Sequence, residues 1–599
     1  MSSNLNLRSK MKTIAAFDFD RTITKSDSFN DLVIGRFGYA SFLFALIKFS
    51  PLIFLYIIGV SSNEIIKQKL FTHFFHGMSS EKFLEIAQEY SSGRLENIVR
   101  PEAFSKIAWH KNRGHILVIV SAALEQWVSP WAKRHGFSYV ITTKPEIKDG
   151  LLTGYFSTPN CFGKEKVRRF LEVFPLRDTY QLYVYGNGRG DEELFCLADK
   201  AYKTIRLYAI VTDGLWRKSL AAVRALGRSD FHVSVMGNSL ATVSFWSSYT
   251  RRRVLKPTAQ ENPTAFGRAL VALLKTYDQN NKPILFPMED ASILWVTEHK
   301  SELQRLASFL VPPLRSLRTS LNKALTLQLA EQLEIPCPKT FIAQTSSEFE
   351  SLQSKLKMEH YVIKPLTGSG SAGIIYGEEL NRKEIESHWR AFGPLMIQER
   401  IPSQGRAMGV SLLFDNKKRC IASFAHERLQ QYPNSGGPST DRISVCAPEL
   451  VEHSIRLLQA LNWQGVAMVE WKEDPRDGQI KLLEINPRFW GSLELAIRSG
   501  VNFPLLYANA TMDDYLQPVI TYQTGVRCRW IVPGDILRYI NQPREKRESL
   551  SKFLDGLPQL AEEWCLTDLR GTAATIVCQA FLALNPKYWK YVRRNNQHR

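Results

Sequence analysis

Short apolar runs that end in polar, Gly- or Asp-rich turns and give way to helical spacing recur through residues 13 to about 205. The runs at 13–19, 115–120 and 181–185 are the clearest. Such alternation predicts a parallel sheet with crossover helices. A second region of the same kind starts near Phe231 and includes the strand 282–286, closed by the acidic turn Glu289-Asp290. From about 315 to 515 the pattern shifts to a helix over 323–333, strands that read as antiparallel, and a Gly/Ser-rich loop at 367–373. The predicted class is α/β multidomain. Its parts are an α/β domain at 1–205, a basic linker at 206–230, a smaller α/β domain at 231–315, an α+β domain at 316–515 and a basic C-terminal extension at 516–599.

One segment breaks the alternation. Residues 41–60 are apolar apart from the interruptions at Lys48, Ser50 and Pro51, and at about 1.5 Å per helical residue they are long enough to cross a bilayer. The interruptions favour two helices broken at the proline, within a helical cap over about 30–105. A hairpin lying in or on a membrane is the rival reading. The polar, basic residues that open the sequence lack the apolar core and cleavage site of a signal peptide.

Composition narrows the partners. At about 150 residues per domain, 599 residues predict roughly four folded units. The 77 Lys and Arg against 58 Asp and Glu leave +19, which suits phosphorylated substrates, nucleotides, nucleic acid or an acidic membrane without choosing among them. The eight cysteines are scattered and form no CxxC pair, which argues against a zinc site or disulfide framework and predicts a reducing, cytoplasmic setting. Peripheral membrane contact through 41–60 is the alternative to a purely soluble life. The basic clusters at 251–253 and 587–599 lack a recognition motif or an aromatic ladder, so nucleic acid is not the expected partner. The terminal cluster suits anionic headgroups.

The first chemical constellation begins at Phe17-Asp18-Phe19-Asp20-Arg21-Thr22, where two carboxylates follow an apolar strand. Ligands bind at the carboxyl ends of such strands. Ser121 closes the next apolar run, Lys164 and Lys166 sit in NCFGKEKV, and the run at 181–185 leads into Gly186-Asn187-Gly188-Arg189-Gly190-Asp191. This ordered set resembles the haloacid dehalogenase superfamily, nearest its phosphoserine phosphatase-like branch (subfamily IB), with a Rossmann-like core. The resemblance implies that Asp18 is the nucleophile, Asp20 the acid/base, Ser121 a phosphate ligand and Lys166 the charge-neutralising lysine, with Lys164 as its alternative. Asp18, Asp20, Asn187 and Asp191 would hold Mg²⁺. Asn187 departs from the Gly-Asp usual in the last motif, and an uncharged ligand predicts weaker metal affinity.

The second constellation is stronger. Leu482-Leu483-Glu484-Ile485-Asn486-Pro487-Arg488 puts Glu, Asn and Arg at alternate positions, hence on one strand face. Glu470 lies in a second strand, VAMVEWKED, and Lys364 precedes the small-residue loop that contains Gly368, Ser369 and Gly370. Backbone N–H groups and a lysine placed so can cradle phosphates, although Gly-Lys-Ser/Thr of a P-loop is missing. Together these motifs resemble the ATP-grasp superfamily, covering about 231–515 with a pre-ATP-grasp domain at 231–315. The resemblance implies ATP contacts from Lys323, Lys364, the 368–370 loop and the hinge Gln398, Glu399, Arg400 and Ile401, with Glu399 a candidate for the adenine amino group. It implies Mg²⁺, for which Mn²⁺ could stand in, on Glu470, Glu484 and Asn486, and an acyl-phosphate steadied by Arg488. The segments 434–440, 488–496 and 499–504 match the substrate side of the carboxylate–amine ligase type.

The function read from the sequence is a bifunctional enzyme. An ATP-dependent ligase joins a small-molecule carboxylate to an amine or thiol, and a fused phosphatase cleaves a phosphomonoester. The alternative is a lipid-phosphate phosphatase at a membrane with a regulatory ATP-binding module.

Overall fold

The computed structural model describes residues 12–52, 63–202, 207–278, 281–367, 373–379, 382–432, 437–512, 517–542 and 547–583. The chain forms two compact units, Met1–Leu207 and Tyr208–Arg599.

The strands of the first unit are β1 (Lys12–Phe17), β2 (Ile116–Leu124), β3 (Tyr139–Thr143), β4 (Pro145–Lys148), β5 (Leu151–Phe156), β6 (Tyr180–Tyr185) and β7 (Lys200–Tyr202). β4 and β5 pair as an antiparallel hairpin. The other five make a parallel sheet in the order β3-β2-β1-β6-β7. β2 reads ILVIVSAAL and is buried almost throughout, as a parallel strand covered on both faces must be. β1 lies between β2 and β6, so the direction of crossover reverses there and the carboxyl ends of three strands open on one crevice.

Helices between β1 and β2 form the expected cap, knit by Phe29, Phe71, Phe75 and Phe83 with ring centroids 5.1–6.2 Å apart. Its first two helices, Ser28–Phe37 and Tyr39–Lys48, meet at 119°. Gly38 makes this bend at φ +85°, a left-handed conformation that glycine adopts without strain. The second helix buries Phe42 and Ala45 but leaves Phe44 63% and Ile47 64% exposed. Residues 53–60 of the apolar stretch lie outside the described residues. No single described helix is long and apolar enough to cross a membrane.

The second unit opens on a parallel sheet of β8 (Tyr208–Val211), β9 (His232–Gly237), β10 (Thr250–Leu255) and β11 (Ile284–Phe286), ordered β10-β9-β8-β11. This corrects the reading of 206–230 as a linker. β8 is an inner strand, and the helix Arg217–Arg228 buries Leu220, Ala222, Val223 and Leu226. The basic residues that suggested a solvated linker point inward to carboxylates far along the chain. Arg224 Nε donates to Asp568 at 2.9 Å and Arg217 meets Glu562 at 3.0 Å. The small α/β domain therefore starts at 208 rather than 231.

Next come β12 (Thr340–Ala343), β13 (Tyr361–Pro365), β14 (Ile375–Tyr376) and β15 (Leu395–Glu399), an antiparallel sheet ordered β12-β15-β13-β14. A six-stranded antiparallel sheet follows from β16 (Ala407–Phe414), β17 (Cys420–Gln431), β18 (Ser439–Ser444), β19 (Gly465–Glu473), β20 (Ile480–Asn486) and β21 (Arg527–Arg529), ordered β20-β19-β16-β17-β18-β21. Val410, Leu412, Val469 and Trp471 on one face pack with Leu457 and Leu458 of the helix Pro448–Ala460. The opposite face carries the charged residues described below.

The region from 516 onward is likewise not a mere extension. β21 completes the six-stranded sheet against β18, and Ala574 and Cys578 pack with Leu220, Ala241 and Val243. The basic run 587–599 lies outside the described residues. The Arg224–Asp568 pair anchors this closure, because Asp568 also accepts from Ser247 Oγ and from the Ser248 and Gly571 backbone N–H groups. Replacing Asp568 with alanine leaves Arg224 buried without its counter-charge. The Asp568→Ala protein is expected to lose about 3–5 kcal/mol of stability in the second unit. Denaturant titration followed by fluorescence measures this, and a loss under about 1 kcal/mol contradicts the anchoring role.

Candidate functional site

In the first unit the carboxyl ends of β1, β2 and β6 converge on Asp18. Its Oδ1 accepts from Lys166 Nζ at 2.7 Å and Ser121 Oγ at 2.9 Å, and its Oδ2 accepts from Thr22 Oγ1 at 3.2 Å. Lys166 Nζ also donates to Asp191 Oδ1 at 2.6 Å. Asp191 Oδ2 is held by the backbone N–H groups of Asn187 at 3.0 Å and Gly188 at 3.2 Å. Gly186 permits this fold-back, because a Cβ there would fall 2.5 Å from Asp191 Cγ. Burial alone would lower the Lys166 pKa, but Asp18 and Asp191 together hold it above its ordinary value. Burial also raises the Asp18 carboxyl, against the pull of Lys166. Lys164, the alternative on sequence grounds, is exposed on the same helix.

Asp20 points toward the cap, where its Oδ1 accepts from the Ser28 N–H at 2.8 Å. Burial, reinforced by the nearby charge of Asp27, pushes it up to about 7. Asn187 Nδ2 donates to the Asp20 carbonyl and to Thr22 Oγ1, each at 2.8 Å. All six residues expected of this site are thus gathered in one crevice.

Among the described residues no group of three or more His, Cys, Asp or Glu side chains is arranged to hold a metal. The donors in this crevice are of a different kind. The Asp18 carboxylate, the Asp20 carbonyl and the Asn187 amide are oxygen ligands of the hard type that Mg²⁺ takes. The set fits Mg²⁺, with one negative charge fewer than an aspartate at 187 would give.

In the second unit the charged sheet face assembles the other constellation. Glu470 on β19 and Glu484 on β20 stand directly opposite each other. Asn486 Nδ2 donates to Glu470 Oε1 at 3.0 Å and to Glu484 Oε1 at 3.5 Å. Lys323 lies 3.4 Å from Glu484 Oε2, and Arg428 of β17 lies 2.6 Å from Glu470 Oε2. Arg428 reaches across β16, where Gly409 sits between Glu470 and His426. A Cβ on Gly409 would come 2.4 Å from His426 Cε1. Burial and the facing Glu470 raise the Glu484 carboxyl. Two like charges held this way call for a cation, so the set fits Mg²⁺.

Arg488 Nη2 donates to Asn486 Oδ1 at 3.2 Å, while its Nε lies 3.0 Å from Asp290. Asp290 and Glu289 follow the carboxyl end of β11, and Lys218 meets Glu289 at 2.7 Å and the Phe489 carbonyl at 3.2 Å. Burial, with Arg488 close by, pushes Lys218 down to about 8. The small α/β domain thus contributes three charged groups beside the same charged face. Sequence reasoning assigned none of the three a role. The Glu289-Asp290 turn at a strand end was a usable signal, whereas Lys218 was hidden in the presumed linker. Arg428, also missed, shows only as a charge in a half-polar strand.

In the neighbouring four-stranded sheet, burial pushes Lys364 of β13 down to about 8. Its Nζ donates to Gln398 Oε1 at 2.7 Å, and Gln398 Nε2 donates to Thr340 Oγ1 at 3.1 Å. Glu399 closes β15 beside Gln398. Its carboxylate pairs with Arg476 at 2.6 Å, and with Lys339 it lines a cavity of about 410 Å³. Arg400 pairs with Glu378 at 3.0 Å, and Ile401 is buried. Gly368, Ser369 and Gly370 lie outside the described residues, as do 434–436.

Comparison with known proteins agrees with this division. The model of haloacid dehalogenase-like hydrolases matches residues 15–195, and that of the ATP-grasp domain matches 321–492. Protein CicA of Caulobacter vibrioides is 30% identical over 195 residues, 32% of this chain and 86% of that protein. A probable phosphatase of Mycobacterium tuberculosis is 27% identical over 181 residues, 28% of this chain and 62% of that protein. The solved N5-carboxyaminoimidazole synthetase of Staphylococcus aureus aligns at a TM-score of 0.41 and 11% identity, over 53% of this chain and 80% of that one. With the Asp18 crevice in one unit and a facing carboxylate pair in the other, the chain belongs to the haloacid dehalogenase-like hydrolases through its first unit and carries an ATP-grasp domain in its second.

Proposed function

We propose that the second unit is an ATP-dependent carboxylate–amine ligase and the first a Mg²⁺-dependent phosphomonoester phosphatase of the phosphoserine phosphatase-like branch. The observation that carries the ligase reading is the Glu470–Glu484 pair bridged by Asn486, with Lys323, Arg428 and Arg488 around it. A module that only senses ATP has no need of a second metal carboxylate, which weighs against the regulatory alternative.

In the ligase, a substrate carboxylate oxygen attacks the γ-phosphorus of ATP and ADP leaves. An amine nitrogen then attacks the resulting acyl-phosphate carbon, loses a proton and displaces phosphate. Lys323 and Lys364 spread the charge of the transferring phosphoryl group, and Arg488 steadies the acyl-phosphate. Mg²⁺ on Glu470, Glu484 and Asn486 would neutralise phosphate oxygens. In the phosphatase, Asp18 attacks phosphorus while Asp20 gives its proton to the departing alcohol oxygen. Asp20 then takes a proton from the water that releases phosphate from Asp18. Ser121 and Lys166 hold the phosphoryl oxygens throughout.

Three outcomes test this reading. Glu484→Ala and Lys364→Ala are each expected to cut ATP-dependent ADP release by about a hundredfold or more, leaving phosphomonoester hydrolysis unchanged. Loss of hydrolysis in folded Glu484→Ala protein contradicts two independent sites. Asp18→Asn is expected to stop hydrolysis, and Asn187→Asp to lower the half-saturating Mg²⁺ concentration roughly tenfold, on the order of 1.4 kcal/mol. An unchanged Mg²⁺ requirement means that residue 187 does not touch the metal.

The third outcome concerns the order of the two reactions. The ligation product carries a phosphomonoester, which the first unit removes, and a shared chain keeps that product near the second catalyst. Incubated with ATP, Mg²⁺ and a pool of amino acids and polar metabolites, Asp18→Asn is expected to accumulate a product one phosphate heavier than the wild-type product. Mass spectrometry that finds the same unphosphorylated compound from both proteins removes the sequential scheme.

A further inference from the structure

The helix Leu569–Ala583 is two-faced in an unusual sense. One face packs inward through Ala574 and Cys578 against Leu220, Ala241 and Val243. The other, which a solvated helix would make polar, presents Leu569, Ala573, Ile576, Val577 and Phe581, with Ile576 54% and Val577 and Phe581 each 65% exposed. Arg570 is the one charged side chain on that arc among the described residues. Apolar side chains in contiguous array on a surface mark a docking site.

What adjoins the stripe says what it meets. The helix lies against the turn Val243–Trp246, which exposes Trp246 and is followed by the edge strand β10. Ser247 and Ser248 tie that turn to Asp568, just ahead of the helix. β10 then carries Arg251, Arg252 and Arg253, all exposed. Arg253 stacks 4.8 Å over the Trp246 ring and Arg252 donates to Thr276 Oγ1 at 2.7 Å. Residues 584–599, which continue from the helix, hold five Lys and Arg, three of the aromatics Tyr and Trp, and no Asp or Glu. Aliphatic side chains flanked by tryptophan and an arginine cluster match the layering of an anionic lipid surface, where acyl chains lie beneath interfacial aromatics and phosphate headgroups.

We propose that the second unit docks on an anionic membrane surface through the exposed face of Leu569–Ala583, with Arg251–Arg253 on the headgroups. Among the described residues no single helix has the length and apolarity to cross a bilayer, so the contact is peripheral.

Co-sedimentation of the full chain with vesicles tests this. Phosphatidylcholine vesicles containing a minority of phosphatidylglycerol are expected to bind the protein, phosphatidylcholine alone far less, and raised salt to weaken binding. The Ile576→Ser/Val577→Ser/Phe581→Ser and Arg251→Ala/Arg252→Ala/Arg253→Ala variants are each expected to bind at least about tenfold more weakly, because each basic residue near an anionic surface is worth roughly fivefold. Unchanged ADP release and phosphomonoester hydrolysis in solution establish that both variants are folded. Three results overturn the proposal. In one, neither variant affects vesicle binding. In another, binding is lost only on changing Phe44→Ser/Ile47→Ser in the first unit. In the third, light scattering shows a dimer that the serine variant abolishes, which makes the stripe a contact between copies of this chain.

Discussion

A charge taken out of water must meet its opposite, and both catalytic centres are arranged around that requirement. Glu470 and Glu484 face each other across neighbouring strands, where they would repel if left alone. Asn486, Lys323 and Arg428 make the arrangement tolerable. In the first unit Lys166 does the same between Asp18 and Asp191. The desolvation that makes such groups costly also makes them chemically useful, since charge stabilisation is strongest where water is excluded.

The same requirement organises the periphery of the second unit. Arg217 and the fully buried Arg442 share the carboxylate of Glu562, and Arg224 relies on Asp568. These partners stand more than a hundred residues apart in sequence, so closing the six-stranded sheet with β21 and the final helix completes the ion pairs at the same time. The opening helix and the closing segment therefore depend on each other for their counter-charges.

Much of this was legible in the sequence, for a physical reason. β1, β2 and β6 are buried on both faces and so read as apolar runs, and the groups at their carboxyl ends follow at fixed offsets. Glu484, Asn486 and Arg488 are readable because strand period alone puts them on one face. Arg217–Arg228 was not readable as structure because its inward charges look solvated until their partners are known. Arg428 escaped notice because its role depends on β17 lying two strands from β19, which is a matter of topology. The Arg476 partner of Glu399 could not be read either, because a strand-end carboxylate has no fixed aim in sequence. The Tyr39–Lys48 helix shows the reverse case, since its hydrophobicity was obvious but only the fold shows that Phe44 and Ile47 face outward.

The position of β8 bears on how such a protein could have been assembled. Because β8 is an inner strand of the sheet β10-β9-β8-β11, the ligase unit has no spare amino-terminal leader that recombination could trim. A crossover in the basic stretch at 208–230, which looks the safest place to splice, would strip out an inner strand together with Lys218. Gene fusion or module exchange can leave both catalysts whole only within the few residues after β7. A cut that keeps the sheets of both units whole therefore falls between Tyr202 and Tyr208.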